Sequence, residues 1–216
     1  MDFLWVMRKI FKIMIYIFHH IWPSSAGIKI AKEQKNRIYN KINDEFIYIK
    51  SQVLQSQNEL TTLKLLQSKV KSFDDNDTIL YIHTKGASDT RIGKTEWREV
   101  METEVIDNYK FHLKILKNGF NTSGCLMGIP FWSEYIYGGN FWWAAANYLK
   151  TIKHKISDNG NRMLAEWNFI SEGINWNPYN IPHINLEKYN HFANLICEEI
   201  CKNSNFFNSK KEKSFI

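Results

Sequence analysis

The amino-acid sequence predicts an α/β fold, with a mostly parallel sheet flanked by helices. Two observations support this prediction. Short apolar runs rich in β-branched and aromatic residues stand at 13–18, 45–52 and 78–86, and such runs are typical of buried strands. Longer segments with apolar residues at helical spacing separate them. This alternation indicates βαβ units, in which a helix connects each strand to a parallel neighbour.

The first half of the chain supplies three strands and three helices in this interpretation. Residues 27–42 form the first predicted helix, between strands 13–18 and 45–52. The second helix covers 58–73, with Asn58 as a candidate N-cap. After the third strand and a polar loop, a long helix is predicted over 95–120, ending at Gly119 because glycine readily takes the left-handed conformation of a helix end.

The second half is less regular. We expect a strand and loop at 121–131, then an extended segment that turns at Gly138 and Gly139 and enters a helix through Trp143 and Leu149. Further helices are predicted at 161–173 and 186–203, with a loop or short strand between them. Residues 1–204 are therefore interpreted as one domain, and 205–216 as a flexible tail.

Composition and charge narrow the function classes. The net charge is +6 and aromatic residues make up 15% of the chain, a combination found in nucleic-acid, anionic-membrane and phosphate or sugar sites. An aromatic core inside a lysine-rich surface explains it equally well. No ribonucleoprotein-like motif or clustered basic helix is present, so nucleic acid is not expected as a partner. The three cysteines form no CxxC pair, which favours free thiols in a reducing compartment.

The N-terminal segment 3–22 is apolar but is interrupted by Arg8, Lys9 and Lys12. It is too short and too charged to predict a membrane span, which needs about 20 apolar residues. We therefore expect a cytoplasmic protein. Peripheral contact of the basic N-terminus with the inner face of the membrane stays open as an alternative.

The ends of the predicted strands locate a candidate site, because ligands of α/β sheets bind beyond the carboxyl ends of the strands. His19 follows the first strand, and His83, Lys85 and Gly86 follow the third. His83 and Lys85 point the same way at a strand end, and their donors suit a diphosphate. The alternative is an exposed loop in which Lys85 is merely solvated.

The segment GGNFWW, residues 138–143, is a second candidate. Gly139 permits close backbone approach, and Asn140 offers the donor and acceptor that sugar hydroxyls require. Trp142 and Trp143 either stack on a sugar ring or fill the core. We do not expect the two rings to face the same pocket, because the side chains of successive helical residues point about 100° apart.

The motifs YIHTKG (81–86), WREVMETEVIDNYKFHLKIL (97–116), GGNFWWAAANYL (138–149) and RMLAEWNFI (162–170) occur in this order. They resemble those of bacterial and viral glycosyltransferase-like proteins of surface polysaccharide synthesis, which have a GT-A-type, Rossmann-like fold. Further matches are Glu59, Thr62 and Leu63 of an E-x-x-T-L helix. The resemblance spans roughly residues 13–172.

The resemblance implies a hexosyltransferase. Its donor would be a nucleotide sugar, with a UDP-sugar expected first, and its acceptor a glycan or lipid-linked glycan in surface polysaccharide or glycoprotein glycan synthesis. The candidate donor-binding residues are His83, Lys85, Gly86, His19 and Arg98. The candidate acceptor-binding residues are Gly139, Asn140, Trp142 and Trp143. Arg98 could equally form a salt bridge on its own helix.

One departure concerns the metal. GT-A enzymes generally end this strand in D-x-D, which holds a divalent ion on the diphosphate, whereas this chain has His83, Thr84 and Lys85 there. An ammonium group neutralises diphosphate charge directly, so no metal ligands are assigned and dependence on Mn²⁺ or Mg²⁺ is disfavoured. Asp74, Asp75 and Asp77 precede the strand and are interpreted as turn residues. The missing motif favours an alternative function, a catalytically silent sugar-nucleotide or glycan-binding module.

Glu166 is the predicted catalytic residue. An inverting sugar transfer needs a carboxylate that takes the proton from the acceptor hydroxyl, and related enzymes often supply it from a late acidic residue at a helix start. Glu166 occupies that place in chain order. A carboxylate on the surface of its helix is the competing interpretation, and Glu134 and Glu172 are lesser candidates.

Overall fold

The computed structural model describes residues 13–44, 46–52, 59–89, 91–128, 137–153, 156, 169–181 and 188–198. In this part of the chain, six strands form one sheet in the order β2-β1-β3-β5-β4-β6. The strands are β1 (Ile15–Ile21), β2 (Phe46–Gln52), β3 (Thr78–His83), β4 (Thr122–Gly124), β5 (Trp142–Ala145) and β6 (Pro178–Asn180).

Strand direction divides the sheet. β1 pairs in parallel with β2 and β3, with Ile15 opposite both Phe46 and Thr78, and β4 pairs in parallel with β6. β5 runs antiparallel to both of its neighbours, β3 and β4. The three predicted parallel strands are therefore confirmed, but the sheet as a whole is mixed.

Helices cover both faces of the sheet. They are α1 (Ser25–Lys41), α2 (Leu60–Lys69), α3 (Ile92–Met101), α4 (Tyr109–Lys117), α5 (Ala146–Leu149) and a helix over residues 190–198, here α6. The Ser24 hydroxyl accepts the Gly27 N–H and caps α1. The predicted helix over 95–120 is interrupted by a π-helical segment, Glu102–Asp107, and ends as expected at Gly119, whose φ is +94°.

Two hydrophobic cores sit on opposite faces of the sheet. One contains Ile17, Leu80 and Trp143 of the sheet, packed against α1, α3, α4 and α6. The other contains Phe18 and Trp142, packed against α2, α5 and the 3₁₀ turn Phe169–Ser171. Successive strand residues point to opposite faces, so neighbouring side chains of one strand serve different cores.

The helix expected to begin near Trp143 is instead strand β5, and the helical turn α5 starts only at Ala146. The reason is the double cover of the sheet. Trp142 and Trp143 lie on opposite faces and are both fully buried, as in a strand with a core on each side.

Among the described residues, no helix has the length and apolar character needed to cross a bilayer. The acidic segment before β3 forms a turn, as expected. Its Asp77 carboxylate is buried and accepts the backbone N–H groups of Met14, at 3.0 Å, and Asp74, at 2.8 Å.

Candidate functional site

A cleft of about 230 Å³ opens where β1 and β3 end at their carboxyl side. The loop after β3 forms one wall, and the end of β1, the residue that precedes α2 and a lysine of α3 contribute the rest. Its lining residues are His20, Trp22, Glu59, His83, Thr84, Lys85, Gly86, Ala87, Ser88, Asp89 and Lys94.

The loop after β3 is held by hydrogen bonds to the end of β1 and the residue that follows it. The Thr84 N–H donates to the His20 carbonyl at 3.1 Å, and the Thr84 hydroxyl accepts the Trp22 N–H at 2.8 Å. Gly86 has φ +79°, in the left-handed region. The loop therefore turns back over the cleft at the glycine that the sequence singled out.

Two ammonium groups stand at the rim. Lys85 Nζ lies 4.6 Å and Lys94 Nζ 4.5 Å from the centre of the Trp97 ring. An aromatic face attracts cations at this range, and Trp97 itself is buried. The ring therefore holds two positive charges beside one cleft, which suits an anionic ligand.

The floor carries a carboxylate and an imidazole. Glu59 is 4% and His83 6% exposed, and Glu59 Oε1 lies 3.2 Å from His83 Nδ1. The other carboxylate oxygen, Oε2, accepts the Tyr81 hydroxyl at 3.2 Å and the Asn140 amide at 2.8 Å. A buried carboxylate with these donors is fixed in position.

Gly139 and Asn140 contact this floor from behind. His83 Nε2 donates to the Gly139 carbonyl at 2.6 Å. Gly139 has φ +88°, and a Cβ added there would overlap the Met101 sulfur. Asn140 also has a positive φ, +59°. The structure thus brings these two predicted acceptor residues next to His83 and Glu59, where they bond to the protein itself.

The two tryptophans lie away from the cleft. Trp142 stacks on Tyr81 with the ring centres 5.0 Å apart, and its Nε1 donates to Asn140 Oδ1. Trp143 Nε1 donates to the Val105 carbonyl at 2.8 Å on the other face of the sheet. Both side chains are fully buried, so neither presents a ring face to a ligand in this structure.

His19 also lies outside the cleft. β1 continues to Ile21, three residues beyond the predicted end, and His19 points toward α1 while His20 lines the cleft. His19 Nε2 donates to Gln34 Oε1 at 2.8 Å, and Nδ1 accepts the Tyr48 hydroxyl. Burial lowers the pKa of His19 to about 3, so the imidazole is neutral.

Arg98 acts on the cleft through the loop. Its guanidinium donates to the Lys85 carbonyl at 3.1 Å and lies 3.4 Å from Glu102 Oε1. Glu102 also accepts Gln34 at 2.8 Å and pairs with Arg37 at 3.1 Å. Burial raises the pKa of Glu102 against these favourable partners. Arg98 does not line the cleft, and its contacts position the Lys85 backbone.

The sequence offers three acidic candidates for the catalytic base. Glu166 and Glu134 lie outside the described residues. Glu172 is described, is exposed and does not line the cleft.

Within the described part of the chain, no three His, Cys, Asp or Glu side chains are grouped so as to hold a metal ion. Cys125 is a buried free thiol, and burial raises its pKa.

Lys94 and Glu59 line the cleft but were not predicted as site residues. Lys94 lies in α3. The sequence gives little indication that it belongs to a site, because a lysine in a charged helix is usually solvated. Glu59 stands out in the sequence only as part of the E-x-x-T-L match, which assigns it no chemical role. The feature that could have identified Glu59 is its position, because it directly precedes α2, the helix that follows the carboxyl end of β2.

Comparison with known proteins gives one match. The curated proteins yield none, and neither do the solved structures. A family model described as "Domain of unknown function (DUF8361)" matches residues 10–167, which is more than half of the 216 residues. That range includes β1 to β5 and every described residue that lines the cleft. The chain therefore belongs to the DUF8361 family.

Proposed function

We propose that the protein is a glycosyltransferase that moves a hexose from a nucleotide sugar to a glycan or lipid-linked glycan. A UDP-sugar is the donor that we expect. The observation behind this proposal is the cleft at the carboxyl ends of β1 and β3. It combines a cationic rim, Lys85 and Lys94, with a buried carboxylate, Glu59, on its floor.

Each part of the cleft has a task in this proposal. The diphosphate of the donor lies at the rim, where the two ammonium groups neutralise its charge and stabilise the leaving group. Arg98 holds the loop that carries Lys85. The volume of about 230 Å³ accommodates a diphosphate and part of a sugar, so the rest of the donor extends past the opening.

The GT-A-type arrangement is part of the same proposal. A sheet with helices on both faces and a ligand cleft at the ends of its parallel strands is compatible with it. The motif resemblance supports it further, because the HTKG loop lines the cleft and the GGN segment contacts its floor. Glu166, the predicted catalytic base, remains a prediction because it lies outside the described residues.

A binding module without catalytic activity is the second candidate. The burial of Trp142 and Trp143 favours it, because these rings were the expected stacking platform for an acceptor sugar. Such a module binds the nucleotide sugar at Lys85 and Lys94 but transfers nothing. Binding and turnover measured on the same sample separate the two functions.

The test is a thermal-shift screen of nucleotide sugars and free nucleoside diphosphates, with and without Mn²⁺. Ligands that bind the native state raise the melting temperature. We expect a subset of nucleotide sugars to do so, and the shift to be lost in a Lys85→Ala/Lys94→Ala double variant. Lys41→Ala, at the exposed end of α1, is the matched control. No shift with any nucleotide sugar would contradict the proposal.

Donors that bind are then incubated with candidate glycan acceptors. Glycosylated product and free nucleoside diphosphate, formed in equal amounts, are expected for a transferase. Binding with neither product favours the second candidate.

A further inference from the structure

We propose that Glu59 is the general base of the cleft, and that the hydrogen bonds of His83 fix it for this task. The inference rests on the proposed function, because it assigns the proton acceptor of the transfer. It makes a carboxylate of the described structure the catalytic residue, in place of the predicted Glu166.

Glu59 faces the cleft. Among the described residues that line it, Glu59 is the only glutamate, and Asp89 is the one other carboxylate. Asp89 sits at the rim and is bound by Arg91, with 2.7 Å between Arg91 Nη2 and Asp89 Oδ2. That guanidinium lowers the pKa of Asp89 to about 2, which makes Asp89 a weak base. Glu59 has no arginine or lysine among its bonded partners in the described chain.

The hydrogen bonds of His83 determine where the protons of the Glu59–His83 pair lie. The Gly139 carbonyl only accepts hydrogen bonds, so His83 Nε2, 2.6 Å away, carries a hydrogen. In a neutral imidazole, Nδ1 would then present a lone pair to Glu59 Oε1 at 3.2 Å. Two lone pairs repel at this distance, so the pair shares one proton. Glu59 and His83 therefore act as one unit that is neutral when it holds this proton.

The Glu59 carboxylate is preorganised by its neighbours. Tyr81 and Asn140 both donate to Glu59 Oε2, and Asn140 is held in turn by Trp142 Nε1. The neighbouring Gly139 cannot carry a side chain without overlapping Met101. The carboxylate is consequently fixed at the floor before any ligand arrives, as efficient proton transfer requires.

The chemical step follows. The acceptor hydroxyl oxygen forms a bond to the anomeric carbon of the donor, and the bond from that carbon to the diphosphate oxygen breaks. The nucleoside diphosphate leaves with the electron pair, next to Lys85 and Lys94. The hydroxyl proton goes to the Glu59 carboxylate. His83 keeps its shared proton, so the positive charge gained at the floor offsets the negative charge that develops on the leaving group.

The experiment is a comparison of Glu59→Gln with Glu96→Gln. Glu96 is a matched control, because it also pairs with a histidine, with 2.8 Å between Oε1 and His191 Nδ1, but it does not line the cleft. Donor affinity, kcat and melting temperature are measured for both variants and for the wild type. We expect Glu59→Gln to keep donor affinity and to lose about 10²–10⁴-fold in kcat, while Glu96→Gln keeps both.

A second variant covers the case in which Glu59→Gln does not fold. Glu59→Ala leaves space for a small carboxylate, and added formate is expected to restore part of the turnover without a matching change in melting temperature. A purely structural role of Glu59 would give no such rescue.

The outcomes separate the inference from the proposed function. If the wild type is active and Glu59→Gln retains the kcat of Glu96→Gln, the inference alone is overturned. If Glu59→Gln loses donor affinity and not kcat, Glu59 binds the donor and the inference also fails. If the wild type transfers no sugar from any donor that it binds, the proposed function and the inference fail together.

Discussion

Lowering the pH from about 7 to about 4.5 protonates His19 in the unfolded chain but not in the folded protein. In the folded state burial lowers the pKa of His19 from 6.5 to about 3. The unfolded chain therefore binds more protons in this window, and stability falls as the pH falls. We predict that His19→Gln removes this part of the pH dependence.

The magnitude follows from the pKa shift. Each pH unit between the two pKa values is worth about 1.4 kcal/mol. Over the two units below the ordinary pKa of histidine, His19 therefore contributes a loss of about 3 kcal/mol. His112, whose pKa burial lowers to about 4, adds a loss of the same sign. Glu102, whose pKa is raised by burial, contributes the opposite sign. Both remain in the variant and cancel in the difference.

The assay is urea unfolding at several pH values, followed by tryptophan fluorescence. The free energies of unfolding of wild type and His19→Gln should converge as the pH falls, with a difference in slope of about 1.4 kcal/mol per pH unit. Tyr48→Phe removes the hydrogen bond to Nδ1 but keeps the imidazole, so it should lower stability and retain the pH dependence. Parallel pH profiles for wild type and His19→Gln would refute the reasoning.

Four further predictions concern the cleft and its support. Lys85→Ala should weaken nucleotide-sugar binding by about 1–3 kcal/mol in titration calorimetry, the range for a lost charge-assisted hydrogen bond, while Lys41→Ala leaves it unchanged; equal affinities would remove Lys85 from the site. EDTA should leave donor binding and turnover largely intact, and loss of activity that Mn²⁺ restores would contradict this. Glu166→Gln should leave turnover and donor binding unchanged if Glu59 is the base; a loss of about 10²–10⁴-fold in turnover with donor binding preserved would instead assign that role to Glu166, as the resemblance implies. Gly139→Ala should lower the melting temperature more than Gly119→Ala, because both positions have positive φ but an added Cβ meets nothing within 4 Å at Gly119, and equal losses would show that overlap with Met101 is harmless.

The local sequence pattern was sufficient to predict the parallel strands of the sheet. β1, β2 and β3 are short apolar runs separated by amphipathic helices, and both features are visible within a few residues of each other. The direction of β5 was not predictable in this way. It depends on pairing with β3, where Ala145 lies opposite Thr78, and on cores that cover both tryptophans. Those contacts join distant parts of the chain and leave no local signal.

The same distinction applies to the site. The HTKG loop was found because it follows a strand end, and the strand-end rule needs only one segment. Lys94 and Glu59 come from neighbouring helices, so their approach to the loop depends on packing. His19 shows how sensitive strand-end reasoning is to register. A strand that extends three residues further turns this side chain toward α1 and presents His20 to the cleft.

The reversed strand β5 also has a consequence for how the sheet opens. Within the described sheet, β4 and β6 connect to the N-terminal strands through β5, because the order is β2-β1-β3-β5-β4-β6. β1 pairs with β2 over seven positions and with β3 over six, whereas β5 pairs with β3 over four and with β4 over three. We therefore expect backbone amides of β4 and β6 to exchange with solvent together, at a lower opening free energy than those of β1. Gly139, whose carbonyl holds His83, precedes β5, so opening of this part of the sheet would also release His83 at the floor of the cleft.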